Sequence, residues 1–288
     1  MKVFQKGFNY SQDGRGNRLI LHLQGCNMRC PWCSNPEGIP AGGALMTDES
    51  RLREDVCPHG AIRERALNRE ICRNCADRPC LRMRGQRGVR LSCSEISVEE
   101  LLRECVSGLP MYFDGGGVTL TGGEVSLQFE EAAELLEGLG KAGVHRAIET
   151  NGTHPRLAEW IPLVDQWIMD VKHYDDEKHK SVTGVSNRTI LSNLETVSAV
   201  HRDMLVRVPL IPGFNDSQAD AEGFARLFSG KLKGSGAKVE FLSYHEYGKA
   251  KWAQCGLSYP MPNARIAPGT VEMFESALAR CHIPTIRT

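Results

Sequence analysis

Three cysteines within eight residues constrain this chain more than any other feature of its sequence. Cys26, Cys30 and Cys33 follow a C-x3-C-x2-C spacing directly after the apolar run LILHL. This spacing lets three thiolates face one metal centre, whereas a structural zinc site and a fully ligated cubane cluster each use four protein ligands. No fourth cysteine follows before Cys57. The loop therefore favours a [4Fe–4S] cluster with one iron left open for a small molecule.

These three thiols could have other roles, each typical of a different class of protein. A disulfide framework, buried structural thiols, or a zinc ribbon completed by a remote residue would each fit three nearby cysteines. Disulfides agree poorly with the 11 cysteines of this chain, because its first residues, MKVFQKGFNYSQDGRG, lack the apolar core of a signal peptide. No run is long enough to span a bilayer. We therefore expect a cytoplasmic protein whose thiols bind metals.

Composition narrows the remaining classes. The chain has 288 residues, of which 41% are hydrophobic, which is enough for one large domain or two ordinary ones with a proper core. Its 35 basic residues balance its 35 acidic residues, so no overall charge favours nucleic acid or an acidic membrane as a partner. We expect neither.

Apolar runs alternate with helical patterns over most of the chain. The strand candidates are Leu19–Gln24, Val118–Thr121, Arg146–Glu149, Trp167–Val171, Leu205–Pro209 and Val239–Ser243. The helix candidates are the segment that Ser97 caps, Leu127–Lys141, Asp220–Phe228 and Val271–Arg280. The polar stretch Gly7–Arg18 is predicted to be a loop. Strands that alternate with helices predict a parallel α/β fold.

Polar or glycine-rich clusters stand at the carboxyl ends of these strands. After the cysteine loop they contain Gly122, Gly123, Glu124, Glu149, Asp170, Lys172, Arg207, Pro209 and His245. In barrels of parallel strands the functional site is built at this face, so six such units predict an open, partial (β/α)6 barrel of the TIM type. Each cluster could instead be a solvated strand end, and Gly-Gly-Glu alone is usually a turn.

Residues 46–93 differ from the rest, so we predict a barrel from residues 1–45 and 94–288 with this segment inserted. Between residues 51 and 93 the sequence has 11 arginines, no lysine and five acidic residues, and its apolar periodicity is weak. The cysteines of the segment are Cys57, Cys72, Cys75, Cys80 and Cys93. A segment with too little apolar mass to fold alone can be held together by metal.

Several stretches, taken in order, resemble one family. The loop LQGCNMRCPWCSNPE and the TGGE after the second strand candidate are similar to the CxxxCxxC and Gly-Gly-Glu motifs of the radical S-adenosylmethionine (SAM) superfamily. The stretches YSQDGRGNR, MDVKHYDDEKHKSVTGVSN, VRVPLIPGFND and SYHEYGKAKW narrow the resemblance to the glycyl-radical-enzyme activating enzymes, the family of pyruvate formate-lyase activating enzyme. Together they cover nearly all of the chain outside the inserted segment.

The resemblance implies a radical reaction. The open iron would bind the amino and carboxyl groups of SAM, and one electron, expected from a flavodoxin or ferredoxin, would cleave SAM to methionine and a 5′-deoxyadenosyl radical. That radical would abstract a hydrogen atom from a glycine of a partner, a glycyl radical enzyme. Two alternatives share the cysteine loop: a radical SAM enzyme acting on a small molecule or nucleoside, and an iron–sulfur electron-transfer module. The strand-end residues argue against the second, because an electron carrier needs no such pocket.

Matching positions imply roles for individual residues. Trp32 would border the adenine of SAM. Gly122 and Gly123 would let the backbone approach the ligand, and Glu124 beside them would hold the methionine amino group. Lys172 could pair with the ligand carboxylate as a compact point charge.

Further residues complete the expected site. Glu149 and Asp170 could bind the ligand ammonium or a monovalent cation. The remaining cofactor-binding candidates are Ser34, Arg207 and His245. The histidine could also be an ordinary loop residue. Asp13 is the candidate for contacting the partner's glycine loop, with a turn-forming aspartate as the alternative.

Three residues depart from the family pattern. Arg15 stands where the family has proline in its DGPG loop, Ser34 where histidine follows the last cysteine, and Glu149 where the family has the aspartate of DTNG. The longer side chain of Glu149 would shift the geometry of the ammonium or cation site. Arg15 would change how the partner's loop is received.

The inserted cysteines resemble a reduced ferredoxin-like domain. Cys57, with the proline after it, is similar to the closing half of a bacterial ferredoxin motif, and Cys72-x2-Cys75-x4-Cys80 to an opening half. The ferredoxin pattern selects these four for a second [4Fe–4S] cluster, with Cys93 as the alternative to Cys80. A zinc site from the same cysteines is the competing prediction. The cysteines predicted to be structural are Cys105, Cys255 and Cys281.

Overall fold

Parallel strands form the frame that carries the cysteine loop. The structure, a computed structural model, describes residues 1–82 and 88–288. The strands are β1 (Lys2–Tyr10), β2 (Asn17–Leu23), β3 (Leu45–Thr47), β4 (Ile62–Arg63), β5 (Ala66–Leu67), β6 (Val89–Leu91), β7 (Ser94–Glu95), β8 (Gly117–Gly122), β9 (His145–Thr150), β10 (Gln166–Asp170), β11 (Met204–Leu210) and β12 (Lys238–Ser243). The α-helices are α1 (Arg69–Arg73), α2 (Val98–Ser107), α3 (Phe129–Lys141), α4 (Asp176–Thr183), α5 (Arg188–Val200), α6 (Gln218–Lys231), α7 (Lys249–Gln254) and α8 (Thr270–Ala279).

One sheet of eight strands has the order β12-β11-β10-β9-β8-β2-β1-β7. Each pair from β2 through β8, β9, β10 and β11 to β12 is parallel, whereas β1 is antiparallel to β2 and to β7. The six predicted strands are therefore confirmed as one parallel set, and the partial (β/α)6 barrel is confirmed as the fold. Its strands end at a common face, which begins with the cysteine loop after β2.

A continuous apolar core lies between the sheet and the helices. Alternate residues of β2 face it, among them Leu19, Leu21 and Leu23, and the stripe of α3 that contains Leu135 and Leu139 packs against them. Burial of this much apolar surface is the main source of the stability that holds the strand ends in place. The opposite face of β2 points into the barrel, where His22 lines a cavity.

The prediction of a loop over Gly7–Arg18 is confirmed for residues 11–16 and wrong at both ends. β1 continues to Tyr10, β2 begins at Asn17, and the Ser11 N–H donates to Gly16 O at 3.0 Å across the turn between them. Arg18 is buried inside the barrel, where its guanidinium donates to Thr119 Oγ1 at 2.7 Å. Local polarity suggested a loop, but cross-strand pairing and this buried hydrogen bond outweigh it.

The helices differ from the prediction mainly by omission. α4 and α5 were not predicted, because α4 is largely polar and α5 begins without a side-chain cap. The prediction that Ser97 caps a helix is confirmed, since its Oγ accepts from the Glu100 N–H at 3.1 Å at the start of α2. No helix in the described part of the chain combines the length and apolar character needed to cross a membrane.

The segment after the cysteine loop has a core of its own. β3 pairs with β6, and β4 with β5, as short antiparallel ladders. Its apolar cluster is formed by Leu52, Val56, Ile62 and Val89, separate from the main core. This cluster is small, which agrees with the weak apolar periodicity of the sequence.

Candidate active site

The cysteine loop is shaped by hydrogen bonds within the protein. The chain leaves β2 through Gly25, whose φ of +106° suits glycine and few other residues. The Gly25 N–H donates to Gly38 O at 2.7 Å, and the Cys26 N–H donates to Ile39 O at 3.0 Å. These bonds close the loop on itself and hold its two arms together.

Two side chains brace the arms of this loop from outside. Gln24 is buried, and its Nε2 donates to Glu37 O at 2.8 Å and to Pro40 O at 2.6 Å. On the other arm, Trp252 of α7 donates from Nε1 to Cys33 O at 2.9 Å. Sequence analysis gave neither residue a role, although Trp252 lies in the SYHEYGKAKW stretch.

The loop and the strand ends enclose one cavity of about 520 Å³. The sequence-predicted residues that line it are Asp13, Cys26, Cys30, Trp32, Cys33, Ser34, Gly122, Gly123, Glu149, Asp170, Lys172, Arg207 and His245. Glu124 is not among the lining residues. Additional lining residues that the sequence did not single out include Gln12, His22, Asn151, Tyr244 and Thr288.

Three thiols converge in this cavity under conditions that suit a metal. Burial raises the pKa of Cys26 and Cys33 to about 12 and also raises the pKa of Cys30. The three are close enough that each thiolate would disfavour the next, so thiolates here need a bound cationic centre. No other cysteine of the described chain lines this cavity. Three thiolates with no fourth fit a [4Fe–4S] cluster that keeps one iron open.

Gly122 and Gly123 bring the end of β8 against the cysteine loop. A Cβ on Gly122, where φ is +125°, would stand 2.3 Å from Leu23 N, and a Cβ on Gly123 would stand 2.0 Å from Gly25 O. Both contacts are too close for any side chain. Close packing against the protein backbone therefore requires glycine at both positions, in addition to the expected approach of the backbone to a ligand.

The carboxylate of Glu124 points into the protein. It is 1% exposed, its Oε1 accepts from Ser126 N at 3.0 Å and Thr150 Oγ1 at 2.6 Å, and its Oε2 accepts from Asn151 N at 2.7 Å. Burial raises its pKa despite these bonds. Glu124 thus ties the turn after β8 to the end of β9, and the structure does not bring it to the cavity wall.

A buried arginine joins three strands across the cavity. Arg207 of β11 donates from Nη1 to Glu149 Oε1 at 2.7 Å and from Nε to Glu240 Oε2 at 2.9 Å. Glu149 also accepts from Thr121 Oγ1 at 2.7 Å. Burial alone would raise the pKa of Glu149, but the Arg207 guanidinium and the Thr121 hydroxyl outweigh it and hold that pKa below the usual range.

The turn between β1 and β2 forms the floor of the cavity. Arg207 Nη2 donates to Gln12 O, and Arg207 Nη1 lies 3.6 Å from Asp13 Oδ1. Asn9 Nδ2 donates to Asp13 Oδ2 at 2.9 Å. Burial and the neighbouring charge of Glu149 raise the pKa of Asp13. Asp13 is therefore positioned inside the barrel, at the opposite end of β2 from the cysteine loop but within the same cavity.

Lys172 supplies a fixed positive charge near the cysteines. Its Nζ donates to Asp170 Oδ2 at 2.7 Å at the end of β10. Burial opposes the charge, yet Asp170 and the neighbouring cysteines outweigh it and raise the pKa of Lys172. The ammonium therefore stays charged at any ordinary pH and could meet a ligand carboxylate.

Two aromatic residues border the cavity at its upper rim. The ring of Trp32 lies 5.0 Å from the ring of Phe214, and the ring of His245 stacks on Tyr247 at 4.2 Å. Burial lowers the pKa of His245, so its imidazole is neutral at physiological pH. Both side chains offer flat surfaces to a planar ligand group.

Known proteins with similar sequences identify the family. The model of the Radical SAM superfamily matches residues 20–224. The (2S)-3-sulfopropanediol dehydratase activating enzyme of Klebsiella oxytoca is 32% identical over 88% of this chain and 85% of the relative. The choline trimethylamine-lyase activating enzyme of Oleidesulfovibrio alaskensis is 32% identical over 94% of this chain and 93% of the relative. The chain belongs to the glycyl-radical-enzyme activating enzymes of the radical SAM superfamily.

A solved structure agrees on the fold. A radical SAM methyltransferase from Sphaerobacter thermophilus matches 97% of this chain and 67% of its own, with a TM-score of 0.56 at 15% identity. The resemblance drawn from the motifs is therefore confirmed for both family and fold. Radical SAM activating enzymes use a [4Fe–4S] cluster and SAM, and the cavity has the thiols and the volume that such a pair requires.

A second set of thiols converges in this activating enzyme. One small pocket is lined by Cys57, Cys72, Cys75 and Cys80. The Ala61 N–H donates to Cys57 Sγ at 3.3 Å. Cys93 is not among the lining residues and lies instead beside Gly43, where an added Cβ would stand 2.9 Å from its sulfur.

The activating enzyme also contains a buried acid that sequence analysis missed. Glu240 of β12 is 1% exposed and binds both Arg207 and the Thr288 backbone N–H, the latter at 2.9 Å. The signal was present as a single charged residue within the otherwise apolar strand candidate Val239–Ser243. A buried charge on the barrel side of a parallel strand requires a partner. Here the partner is Arg207, which stands directly opposite Glu240 on the neighbouring strand β11.

Proposed function

We propose that this chain generates a glycyl radical on an enzyme of the group that its relatives activate. Those relatives activate (2S)-3-sulfopropanediol dehydratase, isethionate sulfite-lyase, choline trimethylamine-lyase and 4-hydroxyphenylacetate decarboxylase, and each is 30–32% identical to this chain. Equal similarity to all of them supports the group and no single member. The observation that carries the proposal is one cavity that runs from three thiols to Asp13, because a partner's glycine must reach SAM inside it.

The first experiment is an anaerobic assay of radical transfer. The chain is reconstituted with iron and sulfide, reduced, given SAM, and mixed in turn with the four glycyl radical enzymes named above. We expect a glycyl radical signal in electron paramagnetic resonance with at least one of them. Formation of 5′-deoxyadenosine with no radical on any of the four would contradict the proposed group and favour the small-molecule alternative.

The cysteine loop and its neighbours are proposed to hold the two cofactors. Cys26, Cys30 and Cys33 would bind the cluster. When bound, the cluster would supply the electron for reductive cleavage of SAM, the chemistry by which a hydrogen atom would be taken from the partner's glycine. Trp32 would border the adenine, since its ring faces the cavity. Lys172 would pair with the carboxylate of SAM, because its charge is fixed by Asp170.

The other candidates are proposed to orient SAM. Gly122 and Gly123 would present backbone groups to the methionine moiety. Because both oxygens of Glu124 bond to protein groups, we propose that it positions Asn151 rather than reaching the amino group directly. The remaining cofactor contacts that we propose are Ser34, Arg207 and His245.

Asp13 is proposed to receive the glycine loop of the partner. Its carboxylate stands on the floor of the cavity, held by Asn9, and Arg207 fixes the preceding carbonyl group. A carboxylate in that place could accept a backbone N–H of the partner's loop. Arg15 is turned away, because its guanidinium binds Asp203 at 2.6 Å, so the departure from the family's proline does not narrow the cavity.

A monovalent cation near Glu149 and Asp170 is also proposed. The carboxylates that line the cavity are those of Asp13, Glu149 and Asp170, whereas its cationic side chains are those of Lys172 and Arg207. This excess of one negative charge would be offset by the ammonium of SAM or by a bound cation. Comparing SAM cleavage in potassium and choline salts measures the requirement, and equal rates would contradict it.

We propose that residues 46–93 act as a separate unit with a second [4Fe–4S] cluster. Convergence of Cys57, Cys72, Cys75 and Cys80 in one pocket supports the choice of Cys80 over Cys93. Zinc is the competing occupant, since possible ligand atoms of His59, Cys75 and Asp77 lie within 4.8 Å of one another.

Replacing Cys57 by serine is expected to remove the second cluster alone. Anaerobically reconstituted protein should fall from about eight to about four irons, because a [4Fe–4S] cluster is held by four thiolates, while SAM cleavage by a strong chemical reductant persists. Cys93→Ser is the matched control and should keep all its iron. If the wild-type protein binds zinc and Cys57→Ser leaves the iron content unchanged, the second site does not hold an iron–sulfur cluster.

The electron donor is proposed to be a flavodoxin or ferredoxin that docks on the arginine-rich surface of residues 51–93. Seven arginines described there are exposed, and Arg84 and Arg87 lie outside the described residues. An acidic donor would be attracted to such a surface. The cytoplasm is the proposed location, which the absence of any disulfide among the 11 cysteines supports.

A further inference from the structure

The outer edge of β1 is open over most of its length. β1 pairs with β2 on one side from Val3 to Tyr10, but on the other side β7 pairs only with Lys2 and Val3. From Lys6 to Tyr10 no other described strand covers this edge. Long open edges offer unpaired backbone groups to other chains, and proteins usually cover them.

The backbone groups on this edge point away from the barrel. Because the Ser11 N–H donates to Gly16 O, ladder alternation pairs Asn9 and Gly7 with β2 by hydrogen bonds. The alternate residues Lys6, Phe8 and Tyr10 therefore direct their backbone N–H and C=O groups outward. These groups are positioned to form hydrogen bonds with one further strand.

Exposed apolar side chains are found on β1 and on residues 109–113, a segment whose rings contact those of β1. The aromatic edge, as we name it, consists of Phe8, Tyr10, Leu109, Met111 and Phe113, which are 42–55% exposed. These five make up half of the large exposed apolar residues in the described chain. Apolar residues concentrated in this way mark interaction surfaces more often than scattered ones do.

The two segments of the aromatic edge are held together. The ring of Tyr10 lies 6.1 Å from the ring of Phe113, and the Tyr10 hydroxyl donates to Asp114 at 3.0 Å. Asn17 of β2 donates from its backbone N–H to Phe113 O at 3.1 Å. The surface is therefore preformed, and a partner would not need to order it.

The aromatic edge continues into the active site. β1 runs directly into the turn whose Gln12 and Asp13 form the cavity floor, and Gln5 of β1 stands opposite His22, a residue of the cavity wall. β1 and β12 lie toward opposite ends of the sheet, so the open side of the partial barrel lies between them. A protein loop that reaches Asp13 from this side passes the edge of β1.

We propose that the aromatic edge docks the partner glycyl radical enzyme, which adds an extended segment beside its glycine loop as a strand along Lys6–Tyr10. Strand addition gives affinity through backbone hydrogen bonds and specificity through side chains on alternate positions. Phe8 and Tyr10 supply those side chains, and the segment leads its glycine toward Asp13. The inference rests on the proposed function, because it needs a protein substrate.

The test compares radical transfer with SAM cleavage in two kinds of variant. Met111→Ser with Phe113→Ser removes apolar contacts outside β1. Phe8→Pro removes an outward N–H together with the Phe8 ring, and an edge strand tolerates proline at such a position. Val200→Ser is the control, since Val200 is 62% exposed at the end of α5 and is not part of the aromatic edge. The partner is whichever of the four glycyl radical enzymes the wild-type chain loads best.

We expect both kinds of variant to raise the KM for the partner enzyme by about tenfold or more, as for loss of an interface anchor. SAM cleavage without a partner should equal that of the wild type, which shows that each variant is folded. An unchanged KM would overturn the proposal. The proposal would also be overturned if the wild-type chain formed a homodimer that the variants dissociate while the KM stays constant. In that case a second copy of this chain would cover the aromatic edge. If the wild-type chain loads none of the four enzymes, the proposed function fails instead.

Discussion

Replacing Cys30 by alanine is expected to abolish SAM cleavage. Cys30 is 7% exposed and packs with Met28 and Ile190 in a small apolar cluster under the loop. Alanine keeps most of that packing but removes one of three thiolates, and no other cysteine of the described chain lines the cavity to replace it. Formation of 5′-deoxyadenosine should fall more than about a hundredfold, beyond the loss typical of a residue that only supports a ligand.

The iron content separates a lost cluster from a misfolded chain. Reconstituted Cys30→Ala protein should lose about four irons and keep about four, because the proposed second [4Fe–4S] cluster would have its own four thiolates. Cys281→Ala is the matched control, since Cys281 is half-buried and lines neither pocket. Retained cleavage in Cys30→Ala would mean that the three thiols do not bind the reactive cluster.

The fold was predictable where the signal was local or periodic. Six apolar runs such as Val239–Ser243 became the six parallel strands, because each is buried on both faces of a sheet with helices outside it. β1 could not be predicted in the same way. Its sequence is polar and glycine-containing, and it is a strand only because β2 offers it a partner.

The site was predictable in its residues but less so in their connections. Motif positions placed Asp13, Lys172 and the cysteines in one cavity, although they are separated by long stretches of chain. What the sequence could not show is how Arg207 is shared between Glu149 and Glu240, because that pairing depends on which strands are neighbours. The inward direction of Glu124 was equally hidden, since hydrogen bonds to the end of β9 decide it.

Replacing Arg207 by methionine is expected to destabilise the barrel strongly. Methionine fills much of the same volume, but it leaves the buried Glu240 and the partly buried Glu149 without the guanidinium that they share. Removing one member of a buried ion pair costs roughly 3–5 kcal/mol, mainly because the remaining charge has lost its partner. Urea unfolding at pH 8 measures the loss, and Arg188→Met, which removes an exposed ion pair with Asp176, is the control.

The pH dependence of this loss has a definite sign. In the wild-type protein the pKa of Glu149 is held below its usual value of about 4.3, so the stability from its charge is present above that pH and is lost as the pH falls further. In Arg207→Met, burial is no longer outweighed and the pKa of Glu149 rises above that value. Protonation of Glu149 at lower pH then removes its unpaired charge from the variant. The difference in unfolding free energy between the two proteins therefore narrows from pH 8 toward pH 5.

Two further substitutions distinguish this cause from simple loss of packing. Adding Glu149→Gln and Glu240→Gln to Arg207→Met removes both carboxylate charges to which Arg207 donates hydrogen bonds, so the triple variant should regain stability at pH 8 and lose the pH dependence of the gap. If the single and triple variants unfold at the same urea concentration at every pH, packing around Arg207 is responsible. In that case the buried arginine stabilises the barrel through its shape and its bond to Gln12 rather than through the charges of Glu149 and Glu240.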